Sequence, residues 1–369
     1  MVVEPPAGVD SGPARDLRRV LASVVSPDAA VAAAARKRMD SRTKPRGSLG
    51  ALEDVAVRYS AARGRVDCPP VVTSVVVAAA DHGVAAYGVS AYPAEVTGQM
   101  IATIVGGGAA SAVLARSVGA RLAVVDCGTA SPRVADGVLD RRPPAPPGAA
   151  IGVGGDLVRT DALPPGAVED LLLGGARWAA EEVAEGVTLI GLGELGIANT
   201  TPAAALTASL LGVDPAAVCG PGTGLGADGL RRKVELVRAA TARVGERDVL
   251  GTLSGLGGAE IAFLAGVVLG AVAASVPVLV DGVVTGAAAL VAARLAPVVP
   301  GSLLAAHLSP EPAHALQLAA LGLTPLLRLD MRLGEGTGAL LAVPVVRAAV
   351  AVLTEMAGFV EAGVTDTGA

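Results

Sequence analysis

Short apolar runs that lead to acidic or polar residues are the feature of this sequence that most restricts its fold. The runs cover residues 71–80, 122–125, 187–190, 276–280, 303–306 and 325–329. Stretches with apolar residues at helical spacing lie between or after them, at residues 94–117, 167–185, 258–274, 285–296, 311–321 and 339–356. Apolar strands that alternate with helices predict an α/β fold, with a mainly parallel sheet covered by helices on both faces.

Acidic residues with glycine close by follow all but the fifth of these predicted strands. Asp81 and Asp281 are two of them. For either aspartate alone, a turn or a helix cap is the more frequent role, since Asp and Gly are common turn residues. In open parallel sheets, however, ligands bind at the carboxyl edge of the strands. Several acidic residues at one such edge therefore indicate a ligand site.

The sequence RLGEGTG at residues 332–338 places Glu335 between a predicted strand end and a helix start. Glycines on both sides let backbone N–H groups and a ligand approach closely, because no Cβ stands in the way. A carboxylate in such a loop is well placed for chemistry. It could equally cap the following helix, where the helix dipole favours a negative charge. The stretch alone leaves both roles open.

A second glycine-rich stretch, GLGELGIANTT at residues 191–201, precedes Pro202. Its glycines and its Asn-Thr-Thr segment at a helix start form a candidate phosphate cradle of N–H and hydroxyl donors. A tight turn with a helix cap is the alternative. Residues 220–224 form another glycine-rich loop, and Lys233 follows it on a predicted helix. That lysine could contact a phosphate or lie on the solvated surface.

The composition first suggests and then argues against a membrane protein. Apolar residues make up 52% of the chain and the mean hydropathy is +0.59, and residues 257–280 form the best candidate span, with Glu260 as its only charge. Aromatic residues make up only 2%, too few for the Trp and Tyr belts expected at membrane interfaces. We therefore expect a soluble protein without a membrane partner. The N-terminus shows no basic-then-apolar signal segment, so we expect it to be cytoplasmic.

Charge, cysteines and histidines narrow the possible partners further. A net charge of −5 argues against a nucleic-acid partner, which would require a basic face. The three cysteines lie far apart without a C-x-x-C pair, which fits reduced thiols better than disulfides or a zinc site. The three histidines lack the i, i+4 spacing of a helical metal pair. We therefore expect no metal and no cofactor.

At five blocks the sequence resembles the nicotinate-nucleotide:dimethylbenzimidazole phosphoribosyltransferase family of cobalamin nucleotide-loop synthesis. The blocks are residues 44–53, 79–99, 191–201, 257–282 and 331–339, and the resemblance extends from about residue 44 to residue 358. It implies a large α/β domain with a Rossmann-like sheet at residues 67–335. A small helical domain would combine an N-terminal tail and helices at residues 1–66 with helices at residues 336–369. The resemblance also implies a homodimer.

The same resemblance implies a reaction and a set of site residues. The enzyme would transfer the phosphoribosyl group of nicotinate mononucleotide to 5,6-dimethylbenzimidazole, giving α-ribazole phosphate and nicotinate. Glu335 would be the general base, and Glu194 would stabilise positive charge developing on the ribosyl group. The phosphate and ribose would be held by Gly196, Asn199, Thr200, Lys233 and Ser309. Further substrate-binding candidates are Asp81, Tyr92, Met100, Asp281, Leu333 and Gly334.

The region expected to bind the azole departs from some members of that family. Tyr92 and Met100 stand where others have smaller or polar residues, and Ala259 stands where an aromatic residue is common. These differences leave the identity of the accepted azole open. A non-catalytic protein that binds a nucleotide or an azole is the alternative function, and it would keep the glycine loops without needing Glu335.

Overall fold

The computed structural model describes residues 13–130, 136–143, 153–164 and 166–365. These residues form the strands β1 (Thr73–His82), β2 (Arg121–Gly128), β3 (Leu139–Asp140), β4 (Val153–Gly154), β5 (Leu189–Leu195), β6 (Val278–Val280), β7 (Leu303–His307) and β8 (Pro325–Leu327). Their order in the sheet is β3-β2-β1-β5-β6-β7-β8, and β4 pairs with the end of β1. Every strand pairing in the described chain is parallel. The predicted Rossmann-like α/β fold is confirmed.

Helices cover the sheet and connect its strands. They are α1 (Pro13–Ser23), α2 (Ala29–Asp40), α3 (Ala51–Arg63), α4 (Val96–Val105), α5 (Ala110–Val118), α6 (Ala167–Ala184), α7 (Thr200–Leu211), α8 (Pro215–Val218), α9 (Ala227–Val244), α10 (Val249–Leu256), α11 (Ala259–Ala273), α12 (Val283–Leu295), α13 (Pro312–Leu321), α14 (Thr337–Glu355) and α15 (Phe359–Ala362). Short 3₁₀ segments lie at Gly83–Tyr87 and Val299–Ser302. Because β1 is followed by β2 on one side and lies beside β5 on the other, the strand order reverses between β1 and β5. Ligands bind at such a reversal point in open α/β sheets.

Two predicted elements differ from the structure. The single helix predicted at residues 94–117 is two helices, α4 and α5, separated around three successive glycines at residues 106–108, which are the poorest helix formers apart from proline. The strand predicted to end at residue 190 continues to Leu195, so the first half of the glycine-rich stretch at residues 191–201 is strand and not loop. Gly193 is required there because a Cβ would lie 2.7 Å from the Gly336 nitrogen.

The candidate membrane span at residues 257–280 is a core element. It contains α11, which is buried along its length, and β6 in the middle of the sheet. Two other helical stretches of the described chain, Val96–Val118 and Thr337–Glu355, are long and apolar enough to cross a membrane by composition. The first is the broken pair α4 and α5, and the second is α14, which packs against the sheet.

Helices from both ends of the chain pack together. Met39 of α2, Tyr59 of α3 and Val343 of α14 belong to one buried apolar cluster that also includes sheet residues such as Leu279. By contrast, α1 packs on α6 and α11, and its Leu17 belongs to a different buried apolar cluster. The division into a small domain at residues 1–66 and 336–369 and a large domain at residues 67–335 stays a prediction. The tail at residues 1–12 lies outside the described part of the chain.

Candidate active site

A cleft of about 360 Å³ opens at the carboxyl edge of the sheet, beside the point where the strand order reverses. It brings together eleven of the thirteen predicted site residues. These are Tyr92, Met100, Glu194, Gly196, Asn199, Thr200, Asp281, Ser309, Leu333, Gly334 and Glu335. Loops that follow β5, β6, β7 and β8 contribute most of them, as expected for residues at the carboxyl ends of parallel strands.

Three consecutive residues in the left-handed region shape the loop that carries Glu335. The φ angles are +86° at Gly334, +57° at Glu335 and +71° at Gly336. The Glu335 N–H donates to the Glu194 carbonyl oxygen at 3.1 Å, which fastens the loop to the end of β5. A Cβ on Gly334 would collide with Glu194 Oε1. A non-glycine residue such as Glu335 rarely adopts this conformation, and residues held in it cluster at functional sites.

The Glu335 carboxylate is buried, with 3% of the residue exposed, and it does not cap the helix that follows. Its Oε2 accepts a hydrogen bond from Ser111 Oγ at 2.9 Å. The residue at the start of α14 is Gly336, which has no side-chain cap. Asp281 makes the capping contact instead, since its Oδ1 accepts the Ala339 N–H at 2.9 Å. Of the two roles open for Glu335, the structure therefore disfavours the cap.

Asp281 lies at the end of β6 and serves two elements at once. It lines the cleft, yet its carboxyl is almost completely buried and turned toward the first turn of α14. Burial raises the pKa of Asp281 to about 7, although backbone N–H donors of α14 act in the opposite direction. His307 Nε2 lies 3.5 Å from the same Oδ1. Asp281 thus holds the start of α14, and with it the loop of Glu335, against the end of β6.

Glu194, at the end of β5, is a second cleft carboxyl group whose charged form is disfavoured by burial. Its Oε2 accepts a hydrogen bond from Asn199 Nδ2. Burial, with the nearby carboxylates of Asp281, Glu260 and Glu335, raises the pKa of Glu194 to about 8. At neutral pH the group is therefore mainly neutral until a positive charge is placed beside it.

The turn between β5 and α7 supplies polar groups to another part of the cleft. Ala198 has a φ of +73°, and α7 begins at Thr200. The Thr201 N–H donates to the Ala198 carbonyl at 3.0 Å and Pro202 has no N–H, so this turn offers an anion the Thr200 hydroxyl and the positive end of the helix dipole. Ser309 lines the same cleft, and its N–H donates to His314 Nδ1 at 2.9 Å. This region therefore offers hydroxyl donors and a positive helix end to a phosphate group.

Lys233 and Asp81 are the two predicted site residues that do not line the cleft. Lys233 is completely buried on α9 and donates from Nζ to Thr200 Oγ1 at 2.8 Å and to the Gly220 carbonyl at 3.0 Å. The solvated-surface alternative for this lysine is therefore wrong. Burial lowers the pKa of Lys233, and Glu311 partly opposes this effect. Asp81 Oδ2 accepts the Ala130 N–H at 2.8 Å, and its role in substrate binding stays a prediction.

Several polar residues in or near the cleft were not predicted as site residues from the sequence. Ser111 reaches Glu335 from α5, and no motif marks a serine at that position. Glu311 Oε1 accepts the Gly222 N–H at 2.8 Å and so holds the loop at residues 220–224. His307 and Arg332 also line the cleft. Glu311 could have been found as the acidic residue that follows the fifth predicted strand at a slightly longer distance.

Among the described residues, no group of three or more His, Cys, Asp or Glu side chains is arranged to hold a metal ion. Cys68, Cys127 and Cys219 are buried free thiols. The pair of His82 Nε2 and Glu260 Oε1, 3.0 Å apart, lies behind the cleft. Burial acts to lower the pKa of His82, but the Glu260 carboxylate outweighs it and the pKa is raised.

The parallel sheet and the carboxylate-rich cleft at its carboxyl edge define an α/β protein of the nucleotide-binding class. A family model described as phosphoribosyltransferase matches residues 24–364. The chain belongs to the nicotinate-nucleotide–dimethylbenzimidazole phosphoribosyltransferase family, as the following relatives show.

Relatives that carry this name cover almost the whole chain. One from Desulforudis audaxviator is 46% identical over 95% of this chain and 98% of its own length. One from Mycobacterium avium is 48% identical over 94% of this chain and 99% of its own length. A crystal structure of the Thermus thermophilus protein superposes with a TM-score of 0.85 at 45% identity, over 92% of this chain and 99% of that one.

Proposed function

We propose that this chain transfers the phosphoribosyl group of nicotinate mononucleotide to 5,6-dimethylbenzimidazole, giving α-ribazole phosphate and nicotinate for the nucleotide loop of cobalamin. The names of the relatives support this reaction. The observation that carries it is the buried Glu335 carboxylate, held by Ser111 in a left-handed loop that faces the cleft. A protein that merely bound a nucleotide would have no need of such a group.

The reaction requires a base for the attacking azole but no acid for the leaving group. In the donor the pyridine nitrogen is already cationic, so it leaves the ribosyl carbon as neutral nitrogen without an acid. The attacking azole nitrogen becomes cationic as its bond to that carbon forms, and the other N–H of the ring must lose its proton. Glu335 accepts this proton, a contribution of about 10²–10⁴-fold to the rate.

Glu194 acts on the donor through charge. When the cationic pyridinium enters the cleft, the positive charge favours the ionised form of Glu194, whose pKa of about 8 otherwise keeps it neutral. The resulting carboxylate then stabilises positive charge that develops on the ribosyl group, an electrostatic contribution to catalysis. Asn199, hydrogen-bonded to Glu194, orients the carboxyl group.

The donor phosphate occupies the region of Thr200, Ser309 and the Gly196 N–H. The N-terminus of α7 favours an anion there, and the hydroxyl groups supply donors. Lys233 supports this region from beneath the surface by donating to Thr200 Oγ1. The charge of its buried ammonium group attracts the phosphate, and its hydrogen bond orients the Thr200 hydroxyl. Lys233 is therefore a positioning residue.

The azole occupies the apolar side of the cleft near Tyr92, Met100 and Leu333. Tyr92 and Leu333 are 55% and 59% exposed, so a planar apolar ring can cover them. We further propose that the protein forms a homodimer, as the family resemblance implies, and that it is cytoplasmic, as the sequence led us to expect.

The experiment that tests the function is incubation of the protein with nicotinate mononucleotide and a panel of azoles, followed by mass detection of products. We expect α-ribazole phosphate with 5,6-dimethylbenzimidazole, and nicotinate in equal amount. Binding of both compounds without any new nucleotide would instead favour the non-catalytic alternative.

A further inference from the structure

The charge balance of the cleft is incomplete without Arg332. Four carboxyl groups line the cleft, those of Glu194, Asp281, Glu311 and Glu335. Among the described residues of the lining, Arg332 is the one arginine or lysine, since Lys233 lies completely buried behind Thr200. The proposed donor carries a phosphate and a ring carboxylate in addition to its cationic nitrogen. An acidic cleft therefore needs a cation to accept two anionic groups.

The Arg332 guanidinium is free to bind a ligand. The residue is exposed, and within the described chain its side chain makes no ion pair or hydrogen bond. Arg347, by contrast, donates to three backbone carbonyls. A planar guanidinium with unused donors matches a carboxylate, which it can bind through two parallel hydrogen bonds.

We propose that Arg332 binds the carboxylate of the nicotinate ring and so selects the acid form of the donor over its amide, an inference that rests on the proposed function. Arg332 lies three residues before Glu335, on the loop that must reach the reacting carbon. The pyridine ring is bonded directly to that carbon, whereas the phosphate is attached at the far side of the ribose. The region of Thr200 and Ser309 already offers the donors that a phosphate requires.

The test compares two donors that differ in one group, nicotinate mononucleotide and nicotinamide mononucleotide. Arg332→Gln should raise the KM for the acid about tenfold, as expected for the loss of a charge-assisted bidentate pair, and leave the KM for the amide within about twofold. Arg328→Gln is the matched control, because Arg328 is exposed on the same segment but does not line the cleft. The control should change neither constant.

Direct binding separates this inference from the proposed function. Titration calorimetry with free nicotinate should show about tenfold weaker binding to Arg332→Gln than to the unchanged protein, with partial recovery in Arg332→Lys. An equal rise in KM for both mononucleotides would assign Arg332 to the phosphate and overturn the proposal. Unchanged KM values and an unchanged affinity for nicotinate would also overturn it, because Arg332 would then make no contact with the donor. If the unchanged protein forms no product from any donor, the proposed function itself fails.

Discussion

Proton release on donor binding follows from the buried position of Glu194. With a pKa of about 8, the Glu194 carboxyl is about 90% protonated at pH 7 before the donor binds. If the cationic ring of the donor restores the pKa to its ordinary value of 4.5, less than about 1% remains protonated at pH 7. Binding of nicotinate mononucleotide should therefore release about 0.9 proton at pH 7 and only about 0.1 proton at pH 9.

Titration calorimetry in two buffers of different ionisation enthalpy, such as PIPES and Tris, measures this quantity. The observed binding enthalpy changes with the buffer in proportion to the number of protons released. The donor phosphate also titrates near pH 6, so the number of interest is the difference between the unchanged protein and Glu194→Gln. The variant should bind the donor while releasing about 0.9 proton fewer at pH 7.

The stability of the ligand-free protein provides a second readout with a defined sign. The folded-state pKa of Glu194 lies above its ordinary value, so the folded protein binds more protons than the unfolded chain between about pH 4.5 and pH 8. The stabilising contribution of this group is therefore complete below pH 4.5 and is lost as the pH rises through 8. Glu194→Gln should flatten the decline in melting temperature across this range. In the calorimetric experiment, equal proton release by the unchanged protein and by Glu194→Gln would refute the conclusion that Glu194 is protonated before the donor binds.

Two other substitutions test the surroundings of the reacting groups. Ser111→Ala removes the donor to Glu335 Oε2 and should lower kcat about tenfold, the value expected for a hydrogen bond to a charged group. Ser117→Ala, on the exposed face of the same helix, should leave kcat unchanged. Equal kcat values for the two variants in steady-state kinetics would contradict this role of Ser111. Lys233→Met removes the ammonium under Thr200 and should raise the KM for the mononucleotide about tenfold with little change in the KM for the azole. Unchanged donor saturation in a folded Lys233→Met protein would remove Lys233 from the phosphate region.

The positions of strands and loops could be predicted because each depends on residues close together in the sequence. Apolar runs marked the central strands, and Glu194, Asp281 and Glu335 were found because each follows such a run beside glycine. Their meeting in one cleft followed from the geometry of a parallel sheet, whose strand ends share an edge.

What could not be predicted depends on contacts between distant residues. Ser111 and Glu335 are 224 residues apart, and a serine in the first turn of α5 carries no sign of its partner. The burial of Lys233 depends on the packing of α9 against α7, which no local pattern reveals. Similarly, β5 continues through Gly191 and Gly193 because it pairs with β1 as far as Leu195, a contact that strand propensity does not reveal.

The central claim is that Glu335 accepts the azole proton, and Glu335→Gln tests it most directly. Glutamine keeps the size of the side chain and can still accept the Ser111 hydrogen bond, but it cannot take up the proton. The account predicts a folded variant that binds both substrates and loses about 10²-fold or more in kcat, with a nearly unchanged melting temperature. A variant with near-normal kcat and a melting temperature lowered by the loss of about 1 kcal/mol of stability would contradict the account and show that Glu335 holds its loop in place without taking part in catalysis.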